Sequence, residues 1–233
     1  NRLGFGINDI DKLYELLPND SNIKFIFSHL GASEDLTEKS FTVNQINLFC
    51  DISKKMQLKF GRTFKKHLLN TSGILNYSKY QFDMVRSGIG IYGYGNCKKF
   101  KNNFKPVISL KSVISQIHEI KKDESVGYNR GFIAKRLTKI AIIPIGHADG
   151  IHRSMGNGKI GLLINNKIAK TIGNICMDMM MIDVTNINCN EGDSVTIIDD
   201  KNQTAEDIGD AINTISYEVL TSLSNRINRV FIS

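Results

Sequence analysis

Arg86 precedes Gly88 and Gly90 in the run Phe82 to Gly93, FDMVRSGIGIYG. Val85, Ile89 and Ile91 are β-formers, so the run reads as a strand. Gly88, Gly90 and Gly93 punctuate it more often than strand packing needs. Glycines let backbone N–H groups come close to an anion, as peptide amides do around a phosphate. A guanidinium on one side of an extended chain, followed by a bare-backbone turn, reads as the floor of an anion or cofactor site. A glycine-weakened buried strand with a surface arginine fits the same residues. Two further groups bear on the choice: Ser28, His29 and Gly31 follow one apolar run, and Asn70, Thr71 and Ser72 follow another.

Elements must position these groups. Asn8 or Asp9 is placed to cap a helix through about Leu17, with Pro18 and Asn19-Asp20 ending it. Ile23 to Ser28 is a near-continuous apolar run, the pattern of a strand covered on both faces. Val43, Ile46, Phe49, Ile52 and Met56 line one face of a helix, and Phe64 to Leu69 reads as a second strand. This alternation predicts βαβ units and a parallel sheet, in which function collects at the carboxyl ends of strands. His29, Thr71 and Arg86 all fall at such ends.

After the lysine-rich connector Asn96 to Asn103 the pattern changes. Short strands are predicted at 107–120, 139–145, 159–164, 168–174, 179–184 and 194–198. Between them lie the turn signals Gly156-Asn157-Gly158, Asn165-Asn166 and Glu191-Gly192-Asp193. Thr204 with Asp207 predicts a capped helix through Ile212, a second helix follows at about Ser216 to Ser224, and Arg229 to Ile232 reads as a last strand. The fold class is α/β plus β: an α/β part at 1–104 and a mainly antiparallel β domain at 105–233.

With 233 residues, 41% hydrophobic and 23% charged, the chain has ample material for a core. No apolar run approaches the ~18 residues of a membrane helix. The net charge of +7 is spread over scattered lysines, apart from clusters such as Lys98-Lys99-Phe100-Lys101. No DNA- or RNA-binding motif accompanies it, so no nucleic-acid partner is expected. Cys50, Cys97, Cys176 and Cys189 include no C-x-x-C pair. That argues against structural zinc or a dense disulfide framework and favours a reducing, cytoplasmic setting.

In the second half stand Ser125-Val126-Gly127-Tyr128, Pro144-Ile145-Gly146-His147-Ala148-Asp149-Gly150 and Gly173-Asn174-Ile175-Cys176-Met177-Asp178. Taken in order with Phe82 to Gly93 and Ile215-Ser216-Tyr217-Glu218, they resemble the alanine racemases, fold-type III enzymes dependent on pyridoxal phosphate. The resemblance runs through the whole chain. It implies the carboxy-terminal part of a (β/α)8 TIM-type barrel, about strands six to eight, followed by the family's carboxy-terminal β domain. A chain opening at Asn1 in Asn-Arg-Leu-Gly-Phe-Gly then reads as the later ~60% of such an enzyme, inactive by itself. The lysine that carries the cofactor in the family lies in a Lys-Ala-Asn-Ala-Tyr-Gly-like motif, and nothing in this sequence resembles it.

The resemblance also assigns roles. Racemisation takes a proton from one face of an α-carbon and returns it on the other, and Tyr128 matches the family's tyrosine base. A phenol ordinarily titrates at about 10, so it needs nearby cations or another downward shift to serve. Arg86 matches the arginine facing the pyridine nitrogen, His67 the histidine bonded to it, and His29 one lying against the ring. The phosphate is expected at Thr71 (usually serine in the family), Ser72, the amides of Gly88 and Ile89, and Tyr217. Arg2 and the Met177 N–H would hold the substrate carboxylate, with Asp178 orienting that loop. His147 stands where tyrosine is usual and Asn174 where arginine is common, at the substrate entrance, with Arg153 a remaining entrance cation. A head-to-tail homodimer is implied, Tyr128 and Met177 of one subunit completing the other's site. No metal is expected. The departures at His147 and Asn174 keep a serine or broad-specificity racemase open, and the missing lysine motif keeps open an inactive cofactor-binding module.

Overall fold

The computed structural model describes residues 2–17, 21–95 and 98–232. The chain forms two compact units, Asn1–Phe104 and Lys105–Ser233. The expected helix stop at Pro18 to Asp20, the start of the connector at Asn96, and Cys97 lie outside the described residues.

In the first unit, a 3-10 turn at Ile7–Asp9 leads into α1 (Ile10–Leu16), whose Ile10 is buried against Met56 and Phe64. Strand β1 (Phe25–Phe27) is followed by α2 (Lys39–Phe60), which runs past the Val43 to Met56 face at both ends. Gly61, at φ 61°, ends α2 in the left-handed conformation that glycine adopts without a Cβ clash. Strand β2 (Lys65–His67) pairs parallel with β1, setting Phe27 beside His67. Helix α3 (Thr71–Asn76) starts at once, capped by Asn70 Oδ1, which accepts from Gly73 N at 2.9 Å. Ile46 and Phe49 of α2 pack on Leu30, Leu68, Leu69 and Tyr77 to form the core.

Two expectations fail here. Phe82 to Gly93 is not a strand. Only Met84 bridges to His67, in parallel sense, and the chain then turns into a 3-10 helix at Ile89–Tyr92 that ends at Gly93, φ 83°. The close glycines favour that tight turn over the β-preference of Ile89 and Ile91. Nor is Ile23 to Ser28 covered on both faces: Phe25 is 40% and Phe27 66% exposed. Among the described strands β1 pairs only with β2, and the contacts on those rings come from His67 and Arg86 rather than from an apolar layer.

The second unit holds a seven-stranded sheet. Its strands are β3 (Leu110–Val113), β4 (Gln116–Ile120), β7 (Thr138–Ile143), β8 (Gly161–Ile164), β9 (Lys167–Ile172), β10 (Met180–Asp183) and β11 (Ser194–Ile198). Between β4 and β7 come the two-residue strands β5 (Ser125–Val126) and β6 (Phe132–Ile133), a hairpin the pattern had not suggested. The order β3-β11-β8-β9-β10-β7-β4 is antiparallel throughout. Its two edge strands are consecutive in sequence. In the link between them, Ile114 N bonds Asp193 O on one side and Ser115 N bonds Ile142 O on the other, so the sheet curls back on itself.

Met180 and Ile182 are fully buried and alternate with Met181 on the opposite face of β10. Met181, with Ile140 and Ile172, forms the apolar bed on which Val126 and Phe132 of the β5–β6 hairpin sit. The β8–β9 turn is Asn165-Asn166, φ 46° and 61°, the pair that a tight hairpin with matching twist requires. Helix α4 (Ala205–Ala211) carries the predicted Thr204/Asp207 capping box, and α5 (Ser216–Thr221) follows. The last predicted strand is absent: 229–232 is irregular, its Val230, Phe231 and Ile232 are exposed, and no described strand pairs with it. Among the described residues no helix is long and apolar enough to cross a membrane, and no cluster of three metal-ligating groups occurs.

Candidate active site

In the first unit Arg86 gathers the chain ends that follow the parallel elements. Its Nη2 donates to the carbonyl of Ser28 at 2.7 Å, just after β1, and to that of Leu68 at 3.1 Å, just after β2. Its Nη1 bonds His67 Nδ1, and His29 Nδ1 lies 3.5 Å from Nη2. The guanidinium carbon stands 5.5 Å from the Phe27 ring centre, and that ring stacks on the His67 imidazole at 5.0 Å. A guanidinium offers only donors, so His67 Nδ1 accepts and its proton sits on Nε2. Arg86 Nε has no bond among the described residues.

Burial, then the Arg86 charge, holds the His67 pKa below its ordinary 6.5. Burial, then Arg86, then Arg2, does the same for His29, with Glu34 opposing. Both imidazoles are therefore neutral at pH 7, beside a cation that burial presses downward but cannot discharge. Arg2 is exposed and its charge reaches His29. Gln45 fixes the His29 backbone: its Nε2 donates to His29 O at 2.6 Å while its Oε1 accepts from Gly31 N at 3.0 Å.

Thr71, buried at the first position of α3, accepts through Oγ1 from Gly88 N at 3.0 Å and Gly90 N at 3.3 Å. The Gly88 amide, expected to face an anion, is thus taken by Thr71, whose hydroxyl proton stays free to donate. The Ile89 amide opens the 3-10 helix, where an N–H has no acceptor in its own helix. Ser72 is buried beside Thr71. A Cβ on Gly88 would meet nothing within 4 Å, while one on Gly90 would come 2.9 Å from Thr71 Cγ2. Open space over Gly88, next to hydroxyl and amide donors, suits a phosphate.

In the second unit Tyr128 sits at the tip of the β5–β6 hairpin, 66% exposed. Its backbone is tightly determined, with Gly127, Asn129 and Arg130 at φ 75°, 58° and 50°. Asn174, expected at a channel mouth, is partly buried, and its Nδ2 donates to Tyr128 O at 2.8 Å. The loop 146–150 lies against 176–177 through His147 N to Cys176 O at 3.0 Å and Ala148 N to Met177 O at 2.9 Å. A Cβ on Gly146 would come 2.4 Å from Cys176 O, so the approach admits only glycine there. His147 Nδ1 bonds Ile151 O at 3.0 Å. Met177 is 61% exposed and its N–H has no acceptor among the described residues.

Asp178 is held by Arg226 Nη1 at 3.2 Å, and the Nε of the same arginine pairs with the buried Asp149 at 3.3 Å. Asp149 Oδ2 in turn accepts from Gly146 N at 2.9 Å. Sequence reading missed Arg226, because nothing local marks it: its partners lie 48 and more residues away. Arg153 is exposed in a 3-10 turn, and its charge reaches Cys176. Tyr217, in α5, is half-buried.

Residues 1–96 match the family description "Alanine racemase, N-terminal domain", and residues 107–231 match "Alanine racemase, C-terminal domain". An alanine racemase of Clostridium tetani is 36% identical over 242 residues, covering 99% of this chain and 62% of that protein. Alanine racemase 1 of Clostridium acetobutylicum is 37% identical over 217 residues, covering 90% and 56%. The chain thus spans little more than half the length of these curated relatives. The crystal structure of alanine racemase from Bartonella henselae with covalently bound pyridoxal phosphate superposes with a TM-score of 0.87 at 32% identity, covering all of this chain and 64% of that one. With both domain descriptions matched end to end, the chain belongs to the alanine racemase family.

Proposed function

We propose that the gene product containing this chain interconverts L- and D-alanine with pyridoxal phosphate, supplying D-alanine for peptidoglycan. The observation that carries the reading is the Arg86 cluster: one guanidinium tied to two chain ends beside two neutral histidines. Pyridoxal phosphate, when bound, supplies the electron sink that acidifies the α-proton of an amino acid. The residues present fit it. Thr71, Ser72 and the Ile89 amide offer donors for its phosphate, Gly88 leaves the space open beside them, and the family resemblance assigns Tyr217 to the same end. Arg86 Nε is unspent and would face the ring nitrogen, and His29 would lie against the ring.

An arginine at that nitrogen cannot hand it a proton. That limits charge delocalisation and favours returning the proton to carbon over side reactions. His67 accepts from Arg86 Nη1, and so keeps the guanidinium turned and charged. Tyr128 takes or returns the α-proton on one face. The opposite face is assigned to the family's lysine, whose motif these 233 residues do not contain. The Met177 N–H and Arg2 would take the substrate carboxylate, and Arg226, through Asp178, steadies the Met177 loop. His147 and Arg153 are assigned to the entrance. Exposure of Tyr128 and Met177 supports a head-to-tail homodimer in which each subunit lends them to the other's site. Residues 1–104 are assigned to the end of a TIM-type barrel and 105–233 to the family's β domain.

The test is to purify the gene product and assay formation of D-alanine and D-serine side by side. The reading expects the visible absorbance of bound pyridoxal phosphate and faster turnover of alanine. Absorbance without turnover would mark an inactive cofactor-binding module; preferred turnover of serine would reassign the substrate.

A further inference from the structure

We infer that Asn174 is a positioning residue for Tyr128: its carboxamide clamps the Tyr128 carbonyl and so sets the backbone from which the phenol projects. The inference rests on the proton-transfer role given to Tyr128 above.

The Tyr128 ring is 66% exposed and packs on no other aromatic ring among the described residues. Its place is therefore inherited from its backbone. That backbone is an unfavourable one, since Asn129 and Arg130 follow at φ 58° and 50°, left-handed values that side-chain-bearing residues rarely adopt. Something outside the loop must hold it. Tyr128 O accepts from Asn174 Nδ2 at 2.8 Å and from Gly131 N at 3.2 Å. The first bond reaches across 46 residues and ties the hairpin tip to the segment after β9.

The fit around the carboxamide is close. A Cβ on Gly131 would come 2.9 Å from Asn174 Nδ2, and one on Gly127 3.3 Å from Asn174 N. The loop thus wraps Asn174 with glycine on both sides. The carboxamide's orientation follows from its partner: the Tyr128 carbonyl can only accept, so Nδ2 is the atom that meets it. An aspartate has the same shape but no donor, so it would set an acceptor against an acceptor.

The test compares N174D, N174A, G131A and the N174A/G131A double variant in the intact gene product. Racemase kinetics are read together with amide hydrogen exchange over residues 127–131. N174D is expected to lower kcat about ten- to hundredfold, as small misplacements of a reacting group do. KM for alanine should stay within about twofold and the cofactor absorbance should not change, because nothing that binds either has been altered. Exchange at the Gly131 amide should rise about fivefold or more, as expected for one lost hydrogen bond, with no change elsewhere. G131A should give the same signature by displacing the carboxamide, and should add little in the N174A background. Wild-type kcat and exchange in N174D would overturn the inference. So would faster exchange throughout the unit, or fully additive effects of G131A and N174A. A wild-type protein with no racemase activity would overturn the parent reading instead, while the local exchange still reports on the clamp.

Discussion

Around Arg86 the side chain itself is held, by the carbonyls of Ser28 and Leu68 and by the His67 imidazole. Around Tyr128 only the backbone is held, and the ring stands in the open. The contrast follows from what each group is assigned to do. A fixed charge is useful only if it cannot move or discharge, so it is surrounded by acceptors. A proton carrier must exchange with its substrate, so its oxygen is left free and the peptide beneath it carries the restraint. The same substitution logic should therefore give opposite results in the two regions.

The largest expected effect is on rate alone. Tyr128→Phe should lower racemisation about 10²- to 10⁴-fold, the range for losing a positioned acid–base group. Its thermal midpoint should stay within about a degree of wild type, since the hydroxyl of an exposed ring contributes little. Arg86→Met should reverse that pattern. Leaving the Ser28 and Leu68 carbonyls and His67 Nδ1 without their donor is expected to cost about 2–4 kcal/mol, visible as a lower denaturant midpoint besides weakened cofactor binding. If both variants kept wild-type stability, the contrast between held side chain and held backbone would fail.

Gly90→Ala sharpens the comparison at the turn proposed to hold the phosphate. Its Cβ would press on Thr71 Cγ2, at 2.9 Å, and the expected loss is about 1–3 kcal/mol. Gly88→Ala meets nothing within 4 Å and should leave stability unchanged while obstructing the phosphate. The smallest effect concerns pH. His67 and His29 are held below their ordinary 6.5 in the folded chain, so just below that pH the unfolded chain binds more protons. Their contribution to stability is complete above about 6.5 and is lost as pH falls from there towards the lower folded values. Denaturant midpoints at pH 7.5 and 5.5 should therefore converge in His67→Gln relative to wild type.

Much of this architecture is legible in the sequence, for local reasons. Helix α2 follows from Val43, Ile46, Phe49, Ile52 and Met56, and the cap of α4 follows from Thr204 and Asp207. The Asn165-Asn166 turn demands its own backbone angles. What was not legible depends on distant partners. Ile89 and Ile91 look like strand residues, yet the 3-10 turn is fixed by glycines and by the Thr71 hydroxyl 17 residues away. The β5–β6 hairpin is too short to show a period, and is made by Val126 and Phe132 landing on Met181. Asn174 was read as an entrance residue from its place in the resembled motif, while its bond to Tyr128 O, 46 residues away, is visible only in the fold.

The central claim, that the Tyr128 phenol moves the α-proton on one face, is tested most directly by solvent isotope exchange. Each alanine enantiomer is turned over in deuterium oxide by wild-type and Tyr128→Phe gene product, and deuterium is measured at the α-carbon of both remaining substrate and product. Racemisation has an equilibrium constant of one, so kcat/KM must fall equally in both directions. Wash-in to unconverted substrate is not so constrained. The account predicts that the variant nearly abolishes wash-in from one enantiomer and retains it from the other. Equal retention from both would remove Tyr128 from the proton transfer.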